Sequence, residues 1–405
     1  MKKTNLNGWV NRWEVKLLNK KKEFVFWGLA GVFVVLMGLF MYGREYFHFD
    51  GVVDTEVLGQ FGDLVGGLGG FLGIFLLYKT LKLQNETLQA QRTADSEQTL
   101  HDRFYRIFDI YQNLINTVSV RVKSGLPDNY FLVKTGKEAI RCKVDDFLVR
   151  HPLAYPPDNP ERGFRLATYA FTDLYASERD FLPMYFRTIF RIFTLLDGEM
   201  KERPQEDPVH RQAHEYLKVF RAQLDETELL LLRYNAHVGV GQNCLPYIRK
   251  YNVLKHLPPL NFFEMRQLRA DYSQEEQDDI DSVLSDLKGY MVDFLKGKGG
   301  KAQTVSSVPL RCYIHVWMAA DKKSLILALM RKDKSSERPY DRLNVFNKMD
   351  DGRVFTLFKY LLFESFLWTV SEKPADFRRL RIKSKNDGDR FEVTASNADG
   401  EALIA

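Results

Sequence analysis

Cysteine is nearly absent from this chain of 405 residues: Cys142, Cys244 and Cys312 are the only three, and none forms a CxxC pair. That excludes a disulfide scaffold and a zinc ribbon, and it fits a reducing compartment. Catalytic signatures are missing as well. There is no GxxxxGK[ST] loop, no HExxH and no GxSxG, so the usual NTPase, metalloprotease and hydrolase designs have no foothold. An excess of one charge is also lacking, with 58 Lys+Arg against 53 Asp+Glu, a formal +5. Even that small surplus is local. Residues 1–23 contain Lys2, Lys3, Arg12, Lys16, Lys20, Lys21 and Lys22 against Glu14 and Glu23, and the rest of the chain is balanced. A generally basic, nucleic-acid-coating protein is therefore not what the composition describes.

A long uncharged run follows the basic arm. Residues 24–42, FVFWGLAGVFVVLMGLFMY, carry no charge and as a helix would extend roughly 28 Å, close to the hydrocarbon thickness of a bilayer. A second run, residues 57–78, has Asp63 as its single charge. Gly62, Gly66, Gly69, Gly70 and Gly73 give it overlapping GxxxG pairs, a flat strip suited to close helix packing and self-association. Asp63 reads as an intramembrane or boundary carboxylate. The connector 43–56 holds four acids and one base, and Lys79 and Lys82 follow the second run. Positive-inside logic then predicts a multi-pass protein of the bacterial inner membrane, with an external loop at 43–56 and both termini cytoplasmic.

Residues 79–102 are polar and helix-favouring and read as a stalk. From Leu100 the apolar residues Phe104, Ile107, Phe108, Tyr111, Leu114, Ile115 and Val118 recur at three- and four-residue steps, predicting an amphipathic helix that ends near Gly125 and Pro127. Helical patterning continues through 136–150, 168–176, 180–198 and 209–220. Asp225 and Glu228 match a capping box, and Ser273 caps a helix to Leu295. This predicts a helical cytoplasmic domain over 103–295. After the glycine-rich KGKGG at 296–300, residues 301–405 read as a small α+β domain with strands near 308–330, a helix over 353–370 and a hairpin at 379–396 turned by NDGD. The expected fold class is thus mainly α: two N-terminal transmembrane helices, a helical body and a small C-terminal α+β domain.

Candidate chemistry is sparse. His210 and His214 stand four apart on a helix, as two metal ligands would, but no further ligand accompanies them, so neither a metal nor a cofactor is expected. Arg233 and His237 could serve a ribonuclease, the histidine moving a proton and the arginine stabilising phosphorane charge. Only three residues intervene, which departs from the spacing in the helical HEPN ribonucleases, and anchoring a helix end is the competing role. Arg378, Arg379, Arg381, Lys383 and Lys385 form a basic cluster that could grip phosphates or simply face solvent.

Several stretches together resemble the AbiC-like phage abortive infection family of bacteria. They are FGDLVGGLGGFLGIFLLYKTLKLQNETL (61–88), RFYRIFDIYQNLINTV (103–118), GKEAI (136–140), YFRTIFRIFTLLD (185–197) and YLKVFRAQLDETELLLLRYNA (216–236). Glu228, Tyr234 and Asn235 are among the polar marks of that likeness, which covers about residues 55–260. The resemblance implies antiphage defence by a membrane-anchored helical protein, and it supplies no catalytic residues. Its expected partners are the lipid bilayer, further copies of the chain, and a phage-derived trigger or a partner encoded beside it. Two other readings stand beside this one: a membrane-tethered nuclease acting on RNA, and a non-catalytic scaffold docking through residues 301–405.

Overall fold

Alternating apolar steps and explicit caps fix most of the helices. In the computed structural model the described residues are 28, 31–32, 35, 55–123, 131–153, 159–298, 302–306, 312–331, 341–370 and 374–403. They fall into two compact units, Met1–Ala90 and Gln91–Ala405. Helix α1 runs Thr55–Thr117. Within the first unit it carries exposed Phe71, Ile74, Phe75, Leu76, Leu77, Tyr78, Leu81, Leu83 and Leu88.

Two expectations about this N-terminal part are overturned. The basic arm (1–23), the first apolar run (24–42) and most of the connector (43–56) lie outside the described residues, apart from four helical positions between 28 and 35. The second run, 57–78, is helical, yet among the described residues no helix is long and apolar enough to cross a membrane. The two-span architecture and the multi-pass inner-membrane location fall with that finding. Composition supplies the physical reason. Residues 57–78 include seven glycines, which lengthen a helix while adding almost no apolar side-chain surface. Gln60 and Asp63 interrupt the run, and the helix does not stop at Tyr78 but continues through the polar 79–102 segment.

In the second unit α1 buries Leu100, Phe104, Phe108, Tyr111 and Ile115, one stripe at helical spacing. The helix stops at Thr117, earlier than the glycine and proline signals implied. Strand β1 (Ser119–Lys123) follows and pairs antiparallel with β2 (Phe131–Thr135). This hairpin interrupts what the periodicity read as continuous helix. Its strands have five residues each, too short for alternation to stand out.

The remaining helices are α2 (Gly136–Arg150), α3 (Pro160–Ser177), α4 (Leu182–Glu202), α5 (Pro208–Gln223), α6 (Glu226–Asn235), α7 (Leu245–Lys250), α8 (Arg266–Ala270), α9 (Gln274–Leu295), α10 (Asn344–Lys348) and α11 (Asp351–Thr369). Asn159 and Asp207 cap α3 and α5 with their side chains, and Asp225 and Ser273 form capping boxes with Glu228 and Glu276. Every described residue of α6 after its first is buried. The chain then doubles back over its end. A Cβ on Gly241 would lie 2.1 Å from the Asn235 carbonyl oxygen, so only glycine fits that approach.

Strands β3 (Gln303–Ser306), β4 (Cys312–Met318), β5 (Ser324–Arg331), β6 (Leu380–Asn386) and β7 (Arg390–Asn397) form one antiparallel sheet in the order β3-β4-β5-β7-β6. Helix α9 packs on β3 and β4, and α11 packs on β7 and α9. One sheet face, with Ile314, Val316, Leu325, Leu327, Leu329, Val393 and Ala395, is fully buried. The sheet therefore belongs to the same compact unit as the helices and shares one core with them.

Candidate functional site

Helix α6 crosses the helical core carrying an arginine, and every group around that arginine must compensate its charge. Arg233 is 0% exposed. Its Nε donates to Glu364 Oε1 and Oε2 at 3.2 and 3.1 Å, and its Nη2 donates to Glu364 Oε2 and Glu264 Oε1, both at 2.9 Å. The guanidinium also lies 3.8 Å from the Phe262 ring centroid and 4.7 Å from that of Phe164, a cation–π arrangement in a dry setting. The Tyr234 hydroxyl donates to Glu264 and accepts from the Phe263 N–H at 2.9 Å. Lys288 stands 3.8 Å from Glu364 and donates to the Leu254 carbonyl at 3.2 Å. Two buried cations thus face two buried carboxylates, and the cluster is neutral as a whole. Burial opposes charge on both sides. At Arg233 and Glu364 the partners win: Glu264 and Glu364 raise Arg233, while Arg233 and Lys288 hold Glu364 below the ordinary glutamate range. At Lys288 burial wins and brings the ammonium below the ordinary lysine range.

His237 meets the same cluster. Its ring stands edge-on to Phe164, with centroids 5.0 Å apart, and packs against Trp368 at 5.3 Å. Burial, and then Arg233 and Arg249, push its pKa down to about 4, so the ring is neutral near pH 7. The structure does bring Arg233 and His237 together, around Phe164. The place is the interior of the protein, and no RNA phosphate reaches a fully enclosed Arg233. Tyr234 belongs to the cluster itself, and Asn235 is buried next to it.

Glu228 forms a second buried hub. It is 1% exposed, and its Oε1 accepts from the hydroxyls of Tyr111 and Tyr185 at 2.6 and 2.9 Å. Its Oε2 accepts from the Asp225 N–H at 3.0 Å and pairs with Lys137 Nζ at 2.7 Å. One carboxylate thereby fastens α1, α2 and α4 to the start of α6.

Beside these hubs opens a cleft of about 890 Å³ between α2, the start of α6, the turns at 258–262, α8 and α9. Its wall is polar. Arg269 Nε donates to Gln277 Oε1 at 2.7 Å, another Arg269 nitrogen donates to the Asn261 side-chain oxygen, and Asn261 Nδ2 donates to Glu226 Oε2 at 2.7 Å. Arg266 reaches the Asp145 carbonyl at 3.3 Å. Arg141, exposed on the rim, makes no hydrogen bond or ion pair among the described residues. Asp281 accepts from the Leu260 N–H at 2.9 Å. Burial, with Glu226 and Asp278 adding to it, raises the Asp281 carboxyl to about 7. Phe262 lines this cleft and stacks on Arg233, which joins the cleft to the buried cluster.

A carboxyl raised in the fold makes the folded state bind more protons than the unfolded chain between about pH 4 and 7. Stability from Asp281 is therefore full in acid and is lost as pH rises through about 7. Asp281→Asn keeps an acceptor for Leu260, and it should gain about 1–3 kcal/mol on the parent between pH 4 and pH 8. Urea titrations at the two pH values check this; parallel pH dependence of the two proteins would contradict it.

The other sequence candidates lie elsewhere. Gly62, Asp63, Gly66, Gly69, Gly70 and Gly73 belong to α1, and no described neighbour comes within 4 Å of where a Cβ would sit on any of the five glycines. His210 turns its Nδ1 to the Arg203 carbonyl at 3.2 Å. Among the described residues no group of three or more His, Cys, Asp or Glu is placed to hold a metal. Arg378 pairs with buried Glu161 at 2.6 Å, whereas Arg379, Arg381, Lys383 and Lys385 are exposed. Sequence reading missed Glu264, Lys288 and Glu364. Glu364 carried a signal, being the lone charge in the apolar stretch YLLFESFLW. The cleft carried none, because its groups come from separate elements.

The geometry defines a class: a helical protein with a polar cleft set over a neutral, fully buried ion cluster. Residues 177–262 match the model of a family described as "putative phage abortive infection protein". That segment supplies Arg233, Glu228 and the cleft wall at 226–230 and 258–262. No curated protein and no solved structure matches the chain.

Proposed function

We propose that this protein acts in an abortive response to phage infection, with the cleft as the site that reads a small polar ligand. The observation that carries the reading is the coincidence of the family match, 177–262, with one wall of the cleft and with Arg233 beneath it. A volume of about 890 Å³ suits a small-molecule or short peptide ligand. The wall offers arginine donors and carboxylate acceptors, so a ligand bearing both kinds of group fits best. Occupancy would press on Phe262, and through it on the Arg233 cluster that ties α6 to α9 and α11. Plating of phage on cells expressing the protein tests this. Arg141→Ala should leave the melting curve unchanged and lower protection at least tenfold. Full protection by Arg141→Ala and by Gln274→Ala at equal expression would reject the cleft.

Self-association is part of the same reading. Its support is the open glycine strip and the exposed apolar residues 71–88 of α1, a larger apolar exposure than a lone surface helix keeps in water. Light scattering of the purified chain should give a multiple of 47.2 kDa, reduced by Gly66→Leu combined with Phe75→Glu. A monomeric parent protein would end the idea.

A further inference from the structure

Period-two alternation splits the C-terminal sheet into two chemically different faces. The inner face is aliphatic and buried. The outer face presents Tyr313, His315 and Trp317 from β4, Ile326 and Met330 from β5, and Arg390, Glu392, Thr394 and Ser396 from β7, all partly exposed. Register places them in rows: Trp317 pairs with Ile326, which pairs with Thr394, which pairs with Lys383 of β6. Tyr313 and His315 meet edge to face at 4.8 Å, and the Arg390 guanidinium sits 5.9 Å from the Trp317 ring centroid.

The edge strand adds charge to this aromatic tier. Arg381, Lys383 and Lys385 alternate onto the same outer face of β6, about 14 Å across the sheet from β4 at the usual strand spacing. Between Arg378 and Asn397 there are six basic and three acidic side chains. Some of this charge is already matched: Lys385 pairs with Asp387 at 2.6 Å, Arg390 with Glu392 at 2.5 Å, and Arg378 with Glu161. Arg379, Arg381 and Lys383 make no side-chain hydrogen bond or ion pair among the described residues. Cations alone would be ordinary protection of an edge strand. A row of three rings on the same face, with two strands between, is what sets this surface apart from a plain solvated sheet face.

We infer that the outer face of this sheet binds single-stranded nucleic acid, with the Tyr313–Trp317 row stacking on bases and Arg381 and Lys383 gripping phosphates. A sheet bearing rings on one strand and cations on another is complementary to a chain whose bases project to one side of a phosphate backbone. Charge selects an anionic partner, and the rings select one with flat unpaired π-faces. A duplex offers the phosphates but keeps its bases stacked inside. This is independent of the cleft reading, since the two sites share no residue.

The test titrates the full chain against fluorescein-labelled single strands of about 12 nucleotides, a length within the usual site sizes of such surfaces. RNA and DNA strands of one mixed sequence are used in parallel, with anisotropy as the readout. Saturable binding is expected. Trp317→Ala should weaken it about tenfold, the scale of removing one base–ring stack, while Trp317→Phe should retain most of the affinity. Arg381→Glu with Lys383→Glu should weaken it by at least about tenfold and flatten the salt dependence by about 0.7 in log–log slope for each phosphate released. Whichever sugar binds tighter identifies the strand. Several outcomes would overturn the inference: no saturation with either strand, equal competition by a duplex, or parental affinity in Trp317→Ala. Binding to phosphatidylserine vesicles or polyglutamate that responds to these substitutions while oligonucleotide binding does not would overturn it as well. Trp317→Ala is expected to melt like the parent, and that melting curve separates the loss of a stacking ring from unfolding. Arg141→Ala should bind oligonucleotides like the parent, which separates failure of this site from failure of the cleft.

Discussion

Arg233→Ala is expected to cost about 3–5 kcal/mol, enough to leave much of the chain unfolded at physiological temperature. The substitution leaves Glu264 and Glu364 buried at 2% and 0% exposure without the cation that compensates both. A buried carboxylate deprived of its partner must either stay charged in a poor dielectric or take up a proton, and both are costly. The neutral arrangement of two cations and two carboxylates predicts a rescue. Arg233→Met combined with Glu264→Gln should recover more than half of the loss, since one charge of each sign leaves and Lys288 stays opposite Glu364. Urea denaturation gives the result directly: the midpoint falls in the single variant and returns in the double one, with a similar slope throughout. A single-variant loss below about 1 kcal/mol would mean that the cluster is solvated or protonated in solution.

Glu228→Ala should be the next most damaging change, at about 3 kcal/mol. It strands the Tyr111 and Tyr185 hydroxyls in the core and removes half of the capping box at Asp225. Each buried hydroxyl left without a partner costs about 1 kcal/mol or more, and loss of the cap adds about 1. Glu228→Gln keeps an acceptor and should lose less than half as much. Tyr111→Phe and Tyr185→Phe should each cost about 1 kcal/mol in the parent and much less in Glu228→Ala, because they share one partner. Additive losses in that double-mutant cycle would show that the hub does not act as a unit.

Glu228 shows how far the sequence reached. Its place three residues after Asp225 predicted the capping box, and the box is there. The two tyrosines that also use the carboxylate come from α1 and α4, and spacing along the chain cannot announce them. Arg233 shows the opposite case. Beside His237 it read as a candidate for phosphate chemistry, because a sequence shows residue types without their burial. Enclosed by Phe164, Phe262 and two glutamates, the same side chain becomes a lock between α6 and α11. The apolar run at 57–78 misled through averaging of a similar kind: its leucines and phenylalanines were visible, but its glycines and the polar continuation of the helix weighed against them.

Short-range rules, then, determined what neighbours along the chain determine. Helices with explicit caps, the 379–396 hairpin turned by NDGD, and the likeness of the 185–197 and 216–236 stretches to a phage-defence family all follow from local pattern. Tertiary structure alone decided what depends on distant residues meeting. It decided that α6 is buried almost throughout, that Glu364, 131 positions beyond Arg233, would neutralise it, and that the sheet joins the helices in one core. It also decided that rings on β4 and cations on β6 would share a face. Burial and charge compensation are sums over neighbours in space, and the order of residues along the chain does not specify those neighbours.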